Sequence, residues 1–258
     1  QAAIDAGPGP VLVIAGPGAG KTRTLIGRIL RLLGEGVPAS EIAAVTFTRR
    51  AAEEMRSRLK SALGRNHDLP AIDTMHALAL ESLSGEKPVI LTEEGARRAF
   101  EAACPQASGR EASRLYDRLE FARETLSVPA GLRPLLTAYS AWKKQRGLAD
   151  YTDLPESWLA ALRGRTSDRG PWSHLLVDEV QDLSPLQKEV LFALLPSDGS
   201  GFFGIGDPDQ SIYGFRGADA HIEEALRECW PGLSVLGMTE SHRSADAILQ
   251  AGRSTLAG

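Results

Sequence analysis

The chain has 258 residues, 43% hydrophobic and 24% charged, with a formal net charge of −4; that supports one large domain or two small ones around a sizeable core. No apolar run approaches the roughly 20 residues of a membrane span, no secretory leader pattern opens the chain, and Cys104 and Cys229 are too few and isolated for a disulfide framework or zinc site. The expected compartment is the cytoplasm, and the mild acidity neither demands nor excludes nucleic acid, because local patches decide that binding.

The first element is the apolar run Val11–Ile14, expected as a buried strand. It leads into Ala15-Gly16-Pro17-Gly18-Ala19-Gly20-Lys21-Thr22. Glycines at this spacing let the backbone turn tightly and aim its N–H groups at phosphate oxygens. The helix that follows adds the positive end of its dipole. Lys21 is placed to reach the β- and γ-phosphates of a nucleotide, and the Thr22 hydroxyl to ligate Mg²⁺. Ala15 stands where the strict pattern has glycine, a small departure, since the last four positions carry most of the chemistry. Leu25, Ile26, Ile29, Leu30 and Leu33 share one face of the helix, which Gly34 and Gly36 end.

Two more apolar runs, Ile42–Phe47 and Ala71–Thr74, each precede a helical pattern. Such alternation predicts an α/β fold with a parallel sheet. From about Thr92 to Arg169 the character changes: 93–103, 110–125, 131–146 and 155–163 are helix-like and no strand-like run stands out. Residues 92–170 are therefore expected to form an all-helical insertion, dividing the chain into 1–91 and 171–258 on one side and 92–170 on the other. Strand patterns return at His174–Asp178, Phe202–Ile205 and Ser234–Met238. Ser184-Pro185-Leu186-Gln187 is a helix start with a capping box, and a last helical pattern runs from Ser244 to about Leu256.

Two of these later strands end in polar groups suited to nucleotide chemistry. Leu175-Leu176-Val177 runs into Asp178 and Glu179. An Asp at this place in phosphate-loop ATPases holds Mg²⁺, and an adjacent Glu suits a base that deprotonates the attacking water. Gln210, in Gly206-Asp207-Pro208-Asp209-Gln210, follows another strand and is placed to sense a γ-phosphate at the ligand crevice of an open α/β sheet.

Together these segments carry a family resemblance. AGPGAGKTR, AAVTFTRRAAEEMRSRL, DTMHALAL, LLVDEVQDLSPLQ, GIGDPDQSIYGFRGA and ESHRS, in this order, resemble the first RecA-like lobe of a UvrD/Rep-type superfamily 1 DNA helicase. The resemblance implies a phosphate-loop, RecA-like sheet flanked by helices, with ATP and Mg²⁺ as ligands and a helical subdomain inserted before the acidic motif. It implies that Gln1 reads the adenine edge, that Arg23 lies against the base, that His242 stands where a stacking Tyr is usual, and that Arg243 contacts the γ-phosphate. It also places Phe47, Thr48, Arg49, His76, Tyr213, Phe215 and Arg216 on the side that binds single-stranded DNA. Aromatic rings there would stack on bases, and Thr48, Arg49 and His76 would meet backbone phosphates. Met75 stands where Phe is usual, which weakens one stacking platform. By charge pattern alone, Arg49, Arg50, Arg56, Arg58 and Lys60, interleaved with Glu53 and Glu54, are equally a solvated helix face.

Helicases of this type need a second RecA-like lobe, and the residues after Ser244 are too few to encode one. The expectation is therefore an ATP-binding lobe of a 3′→5′ DNA helicase that binds single-stranded DNA and hydrolyses ATP slowly by itself. Its partner would be a second lobe from the same parent chain or another protein. The alternative is a nucleotide-gated DNA- or protein-binding module without useful turnover.

Overall fold

A parallel sheet of six strands in the order β3-β2-β6-β7-β1-β8 forms the body of the protein. The computed structural model describes residues 1–64, 67–165, 170–210 and 222–238. In chain order the elements are β1 (Val11–Ala15), α1 (Lys21–Gly34), β2 (Ile42–Thr46), α2 (Arg49–Leu63), β3 (Ala71–Thr74), α3 (Met75–Ser82), β4 (Val89–Ile90), α4 (Glu93–Ala103), α5 (Gly109–Glu124), α6 (Arg133–Lys144), β5 (Leu148–Ala149), α7 (Asp153–Arg163), β6 (His174–Val177), α8 (Pro185–Leu194), β7 (Phe202–Gly206), α9 (Ile222–Cys229) and β8 (Ser234–Met238). All pairings within the large sheet are parallel. The expected α/β class is thus what the chain adopts, with each of the six expected strands within one residue of its observed ends.

The strands are apolar throughout because both faces of the sheet are covered, and successive side chains alternate between two cores. Leu12, Ala43, Val45, Leu175, Val177 and Phe202 face one core, with α3, α7 and α8. Val11, Val13, Ile42, Ala44, Leu176, Phe203 and Ile205 face the other, against α1 and α2. Leu25 and Ile29 of α1 are almost fully buried there, each worth about 1.5–3 kcal/mol relative to exposure.

Between β3 and β6 the chain is largely helical. Ala96, Ala99, Phe100, Tyr116, Leu119 and Tyr139 form a separate core from α4, α5 and α6, with the three rings edge-to-face at 5.6–6.1 Å. Helix α7 behaves differently. Its Leu154, Trp158, Leu159 and Leu162 belong to the core of the large sheet, beside α3 and α8. The expectation of no strand in this stretch is corrected: β5 pairs in parallel with β4. A pair of two-residue strands is too short to show a period in the sequence.

A buried ionic cluster joins these parts. Arg123 of α5 contacts Glu120 (2.7 Å), Asp150 (3.0 Å), Asp153 (2.7 Å) and Glu156 (2.7 Å), while Lys143 of α6 pairs with Asp150 and Asp153. Burial works against the Asp150 carboxylate, but Arg123 and Lys143 outweigh it and hold that carboxyl down at about 2. Among the described residues no helix is long and apolar enough to cross a membrane.

Candidate nucleotide and nucleic-acid site

Because the six strands run in parallel, the loops after β1, β2, β3, β6 and β7 all leave at the sheet's C-terminal edge. That edge is where open α/β sheets bind ligands. Nearly every described residue singled out from the sequence lies on one of these loops or at the strand and helix ends that flank it.

The loop after β1 is shaped by two glycines, Gly18 (φ 73°) and Gly20 (φ 86°), in the left-handed region that other residues rarely adopt. The Ala19 N–H donates to the Gly16 carbonyl at 3.2 Å, and the Thr24 N–H to the Gly20 carbonyl at 3.0 Å, so α1 begins at Lys21. Ala15 and Ala19 are buried, Gly16, Gly18, Gly20, Lys21 and Thr22 half-buried, and Pro17 exposed. The first N–H groups of α1 have no partner within the helix and point toward the site.

Across β7, the end of β6 carries the acidic pair. The Asp178 N–H donates to the Val45 carbonyl at 2.8 Å, extending the β2–β6 pairing by one residue. Glu179 then takes a left-handed backbone, φ 48° and ψ 49°. For a residue with a side chain that conformation is strained. It turns the chain sharply, and Glu179 Oε2 meets Lys21 Nζ at 2.8 Å. Burial, and then the neighbouring Glu179 charge, push the Asp178 carboxyl up to about 6, with Lys21 opposing them. Asp182 is raised to about 6 by the same causes in the same order, and its Oδ1 is buried without a hydrogen-bond partner.

Gln181, 1% exposed, links this pair to the loop after β7. Its Nε2 donates to Glu179 Oε2 at 3.0 Å, and its Oε1 accepts the Asp207 N–H at 3.0 Å. Asp207 in turn holds the side-chain amide of Gln210. Gly206 permits this: a Cβ there would lie 2.3 Å from Gln181 Oε1. Lys21, Glu179, Gln181, Asp207 and Gln210 thus form one hydrogen-bonded chain.

On the other flank, a cleft of about 990 Å³ opens between the loops after β2 and β3 and the helical part. Phe47, Arg49, His76, Tyr151, Phe121 and Asp178 are among the residues that line it. The His76 and Tyr151 rings meet edge-on at 5.7 Å. Tyr151 and Phe121 are 48% and 46% exposed, which leaves aromatic faces open to the cleft. Thr48 caps α2, its Oγ1 accepting the Ala51 N–H at 3.1 Å, and Arg49 is exposed. Met75 is 3% exposed and packs in the core, so it is a packing residue rather than an open platform.

Two predicted nucleotide contacts lie apart from the hydrogen-bonded chain. Gln1 and Arg23 are exposed, and the Gln1 Nε2 donates to Asp5 Oδ2 at 2.8 Å. Tyr213, Phe215, Arg216, His242, Arg243 and the helical pattern 244–256 lie outside the described residues. Sequence reasoning missed Gln181 and Asp207. In Val180-Gln181-Asp182-Leu183 no local pattern sets Gln181 apart, and all four residues are buried.

The sequence model of the UvrD/REP helicase N-terminal domain matches residues 1–107 and 110–229. The chain belongs to this family. Among similar proteins is the ATP-dependent DNA helicase Rep of Escherichia coli strain K12, 32% identical over 97% of this chain and 42% of the relative. The Rep helicase of Buchnera aphidicola subsp. Baizongia pistaciae is 31% identical over 94% of this chain and 40% of its own. The ATP-dependent DNA helicase UvrD2 of Mycobacterium tuberculosis strain H37Rv is 31% identical over 99% of this chain and 43% of its own. The chain thus spans about two fifths of the length of these relatives. For a UvrD/REP N-terminal domain, a mostly parallel sheet flanked by helices is the expected frame.

No single group of three or more His, Cys, Asp or Glu side chains suited to a metal occurs among the described residues. Asp178 and Thr22 nevertheless fit Mg²⁺. That ion keeps one or two protein ligands and completes its shell with phosphate oxygens and water. A crowded, buried carboxylate with a raised pKa beside a phosphate loop is the electrostatic setting that a divalent cation relieves.

Proposed function

We propose that this chain is the Mg-ATP-binding lobe of a 3′→5′ DNA helicase or translocase, completed by a second RecA-like lobe. The observation that carries the reading is the 2.8 Å contact between Lys21 of the phosphate loop and Glu179 of the acidic pair. It brings a phosphate-binding cation and a candidate base together from residues far apart in sequence.

In this reading the loop Gly16–Thr22 cradles the phosphates and Lys21 turns from Glu179 to the β- and γ-oxygens. Thr22 and Asp178 would hold Mg²⁺, which when bound would neutralise developing phosphate charge. Glu179, kept in place by Gln181 once Lys21 has turned away, takes the proton of the attacking water. Gln210 reports the γ-phosphate, and Gln1 and Arg23 read the base. Arg243 contacts the γ-phosphate and His242 takes the place of the stacking Tyr in this reading, both on the family resemblance and outside the described residues. Phe47, Thr48, Arg49 and His76 line the track for single-stranded DNA, and the family resemblance gives Tyr213, Phe215 and Arg216, outside the described residues, the same DNA-binding role. Residues 92–170 are the inserted subdomain in this reading, with α7 as the element that seats it on the sheet. The names and extents of the relatives, and the lining of the cleft, support these assignments.

The second lobe supplies an arginine worth roughly 10³–10⁵ in rate in related phosphoryl transfers. Steady-state ATP hydrolysis, with and without single-stranded DNA, tests the reading. Slow turnover that rises when a second lobe is supplied is expected. Rapid DNA-stimulated turnover by the chain alone would overturn the need for a second lobe. Nucleotide and DNA binding with no turnover even when that lobe is added would favour a binding module.

A further inference from the structure

Helix α5 carries two stripes. Ala112, Tyr116, Leu119, Ala122 and Arg123 are buried against the helical core and the ionic cluster. Asp117, Glu120, Phe121 and Glu124 recur at three- and four-residue spacing on an adjoining face, and all four line the cleft. Phe121 is the anomaly among them. It is 46% exposed and belongs to none of the three cores. A single exposed apolar side chain is ordinary on a convex surface. This one stands inside a concave cleft of about 990 Å³, the kind of place where proteins take ligands.

The ring is held from behind. Buried Arg123, just beyond it on α5, reaches Asp150 at 3.0 Å, Asp153 at 2.7 Å and Glu156 at 2.7 Å. Just before it, Glu120 Oε2 accepts the Thr152 hydroxyl at 2.7 Å. The Phe121 carbonyl accepts the Thr125 N–H at 2.9 Å and the Thr125 hydroxyl at 2.7 Å. The backbone is thus ordered before any ligand arrives, which lowers the cost of binding. The cleft is also electrically lopsided. Its α5 wall sets Asp117, Glu120 and Glu124 around the ring, Asp117 engaged by Arg97 at 2.6 Å and Glu120 by Arg123 at 2.7 Å. Away from α5, Arg49 begins α2, whose first N–H groups and dipole favour anions, and Lys87 precedes β4. Both cations line the cleft, are exposed and make no ion pair among the described residues. Glu81 of α3 lines it too, so that side is mixed where the α5 wall is acidic.

We infer that Phe121 is a nucleobase-stacking residue, and that a single strand lies in the cleft with its phosphates toward Arg49 and its bases toward α5. The inference rests on the proposed reading of the cleft as a track for single-stranded DNA. It adds the facing of the strand and a ring that no sequence motif marks. The carboxylates of α5 repel phosphates, and Arg49 with the start of α2 attracts them. Bases carry no charge, and each has a π-face for the ring to meet whatever the sequence. The acidic wall therefore excludes the backbone from the side where the ring waits for a base.

The test is fluorescence anisotropy of labelled oligothymidylate, and of an abasic strand of the same length and label, titrated with the full chain over a range of salt. Phe121→Ala should weaken oligothymidylate binding roughly five- to a hundredfold, the scale of one lost base–aromatic stack. Its loss on the abasic strand should stay below about twofold. Phe121→Trp should bind like the parent, and Phe121→Leu, apolar but without a π-face, should behave like Phe121→Ala. Arg49→Ala should weaken both strands alike and flatten the logarithmic salt slope by about 0.7, the share of one phosphate contact on a single strand. Urea midpoints check that each variant folds, and Phe121→Leu carries the comparison if Phe121→Ala does not. Folded Phe121 variants that bind oligothymidylate like the parent, or lose equally on both strands, overturn the inference; a loss in Arg49→Ala then still leaves the cleft as the track. An unchanged salt slope in Arg49→Ala overturns the assigned facing of the strand. A parent that binds neither strand removes the single-strand reading and the inference with it.

Discussion

Lys21 Nζ and Glu179 Oε2 lie 2.8 Å apart, joining the loop after β1 to the turn after β6 with β7 between them. In the proposed reading, phosphate oxygens would compete with Glu179 for the same ammonium group, and the pair would couple nucleotide binding to the release of the candidate base. Replacing Glu179 by Gln keeps its shape but removes the proton acceptor and the ion pair. Glu179→Gln should bind Mg-ATP at least as tightly as the parent and lose about 10²–10⁴ of any turnover. Unchanged turnover would show that the base is another group.

Gln181 makes a second prediction. Its amide supplies the donor to Glu179 that does not compete for phosphate, and it accepts the Asp207 N–H. Gln181→Met fills the space and makes neither bond. Turnover should fall roughly ten- to a hundredfold, the scale of a misplaced reacting group. Affinity for Mg-ATP should stay within about twofold, since the phosphate loop is untouched. The comparison of kcat with nucleotide Kd checks it, and an equal loss in both would mean that Gln181 merely supports the fold.

Asp178 and Asp182 bear on pH. Both carboxyls are pushed from 3.8 up to about 6 by burial and by Glu179. Between about pH 4 and pH 6 the folded chain then holds protons that the unfolded chain has lost. Through these two groups, stability falls as pH rises across that window. Asp182→Asn removes one of them. Its midpoint of urea unfolding should exceed the parent's at about pH 7, and the advantage should shrink toward about pH 4. A difference independent of pH would contradict this. Mg-ATP affinity should fall as pH drops through about 6, as Asp178 takes up its proton.

Much of this was legible in the sequence, and the limits are physical. Val11–Ile14 and Leu175–Val177 are continuous apolar runs because both faces of a parallel strand are buried, so their strands are plain from local pattern. The Gly18 and Gly20 turn is equally local. Gln181 is different. Its bond to Asp207 joins residues 26 positions apart through a side-chain amide, and no periodicity announces that. Helix α7 shows its own apolar face clearly, but the face says only that it is buried. That Trp158 packs in the core of the large sheet, and not with Phe100 and Tyr139, depends on tertiary contacts. The β4–β5 ladder escapes because two residues carry no period.

The ionic cluster gives a stability prediction. Arg123 meets Glu120, Asp150, Asp153 and Glu156, and Lys143 pairs with Asp150 and Asp153. Arg123→Met leaves those carboxylates buried and crowded. The loss should be about 3–5 kcal/mol in urea unfolding at neutral pH, as for other broken buried pairs. The deficit should narrow in acid as carboxylates take up protons. A loss below about 1 kcal/mol would show that the cluster relaxes by admitting water.

The central claim is that the loop ending in Lys21 and Thr22 binds Mg-ATP opposite Asp178 and Glu179. Calorimetric titration of Mg-ATP into the chain and into Lys21→Ala tests it most directly. The account predicts one site in the parent and a loss of at least about 2–5 kcal/mol in the variant, the scale for truncating a charge-paired contact. Equal affinity in the two proteins, or no binding by the folded parent, would contradict it.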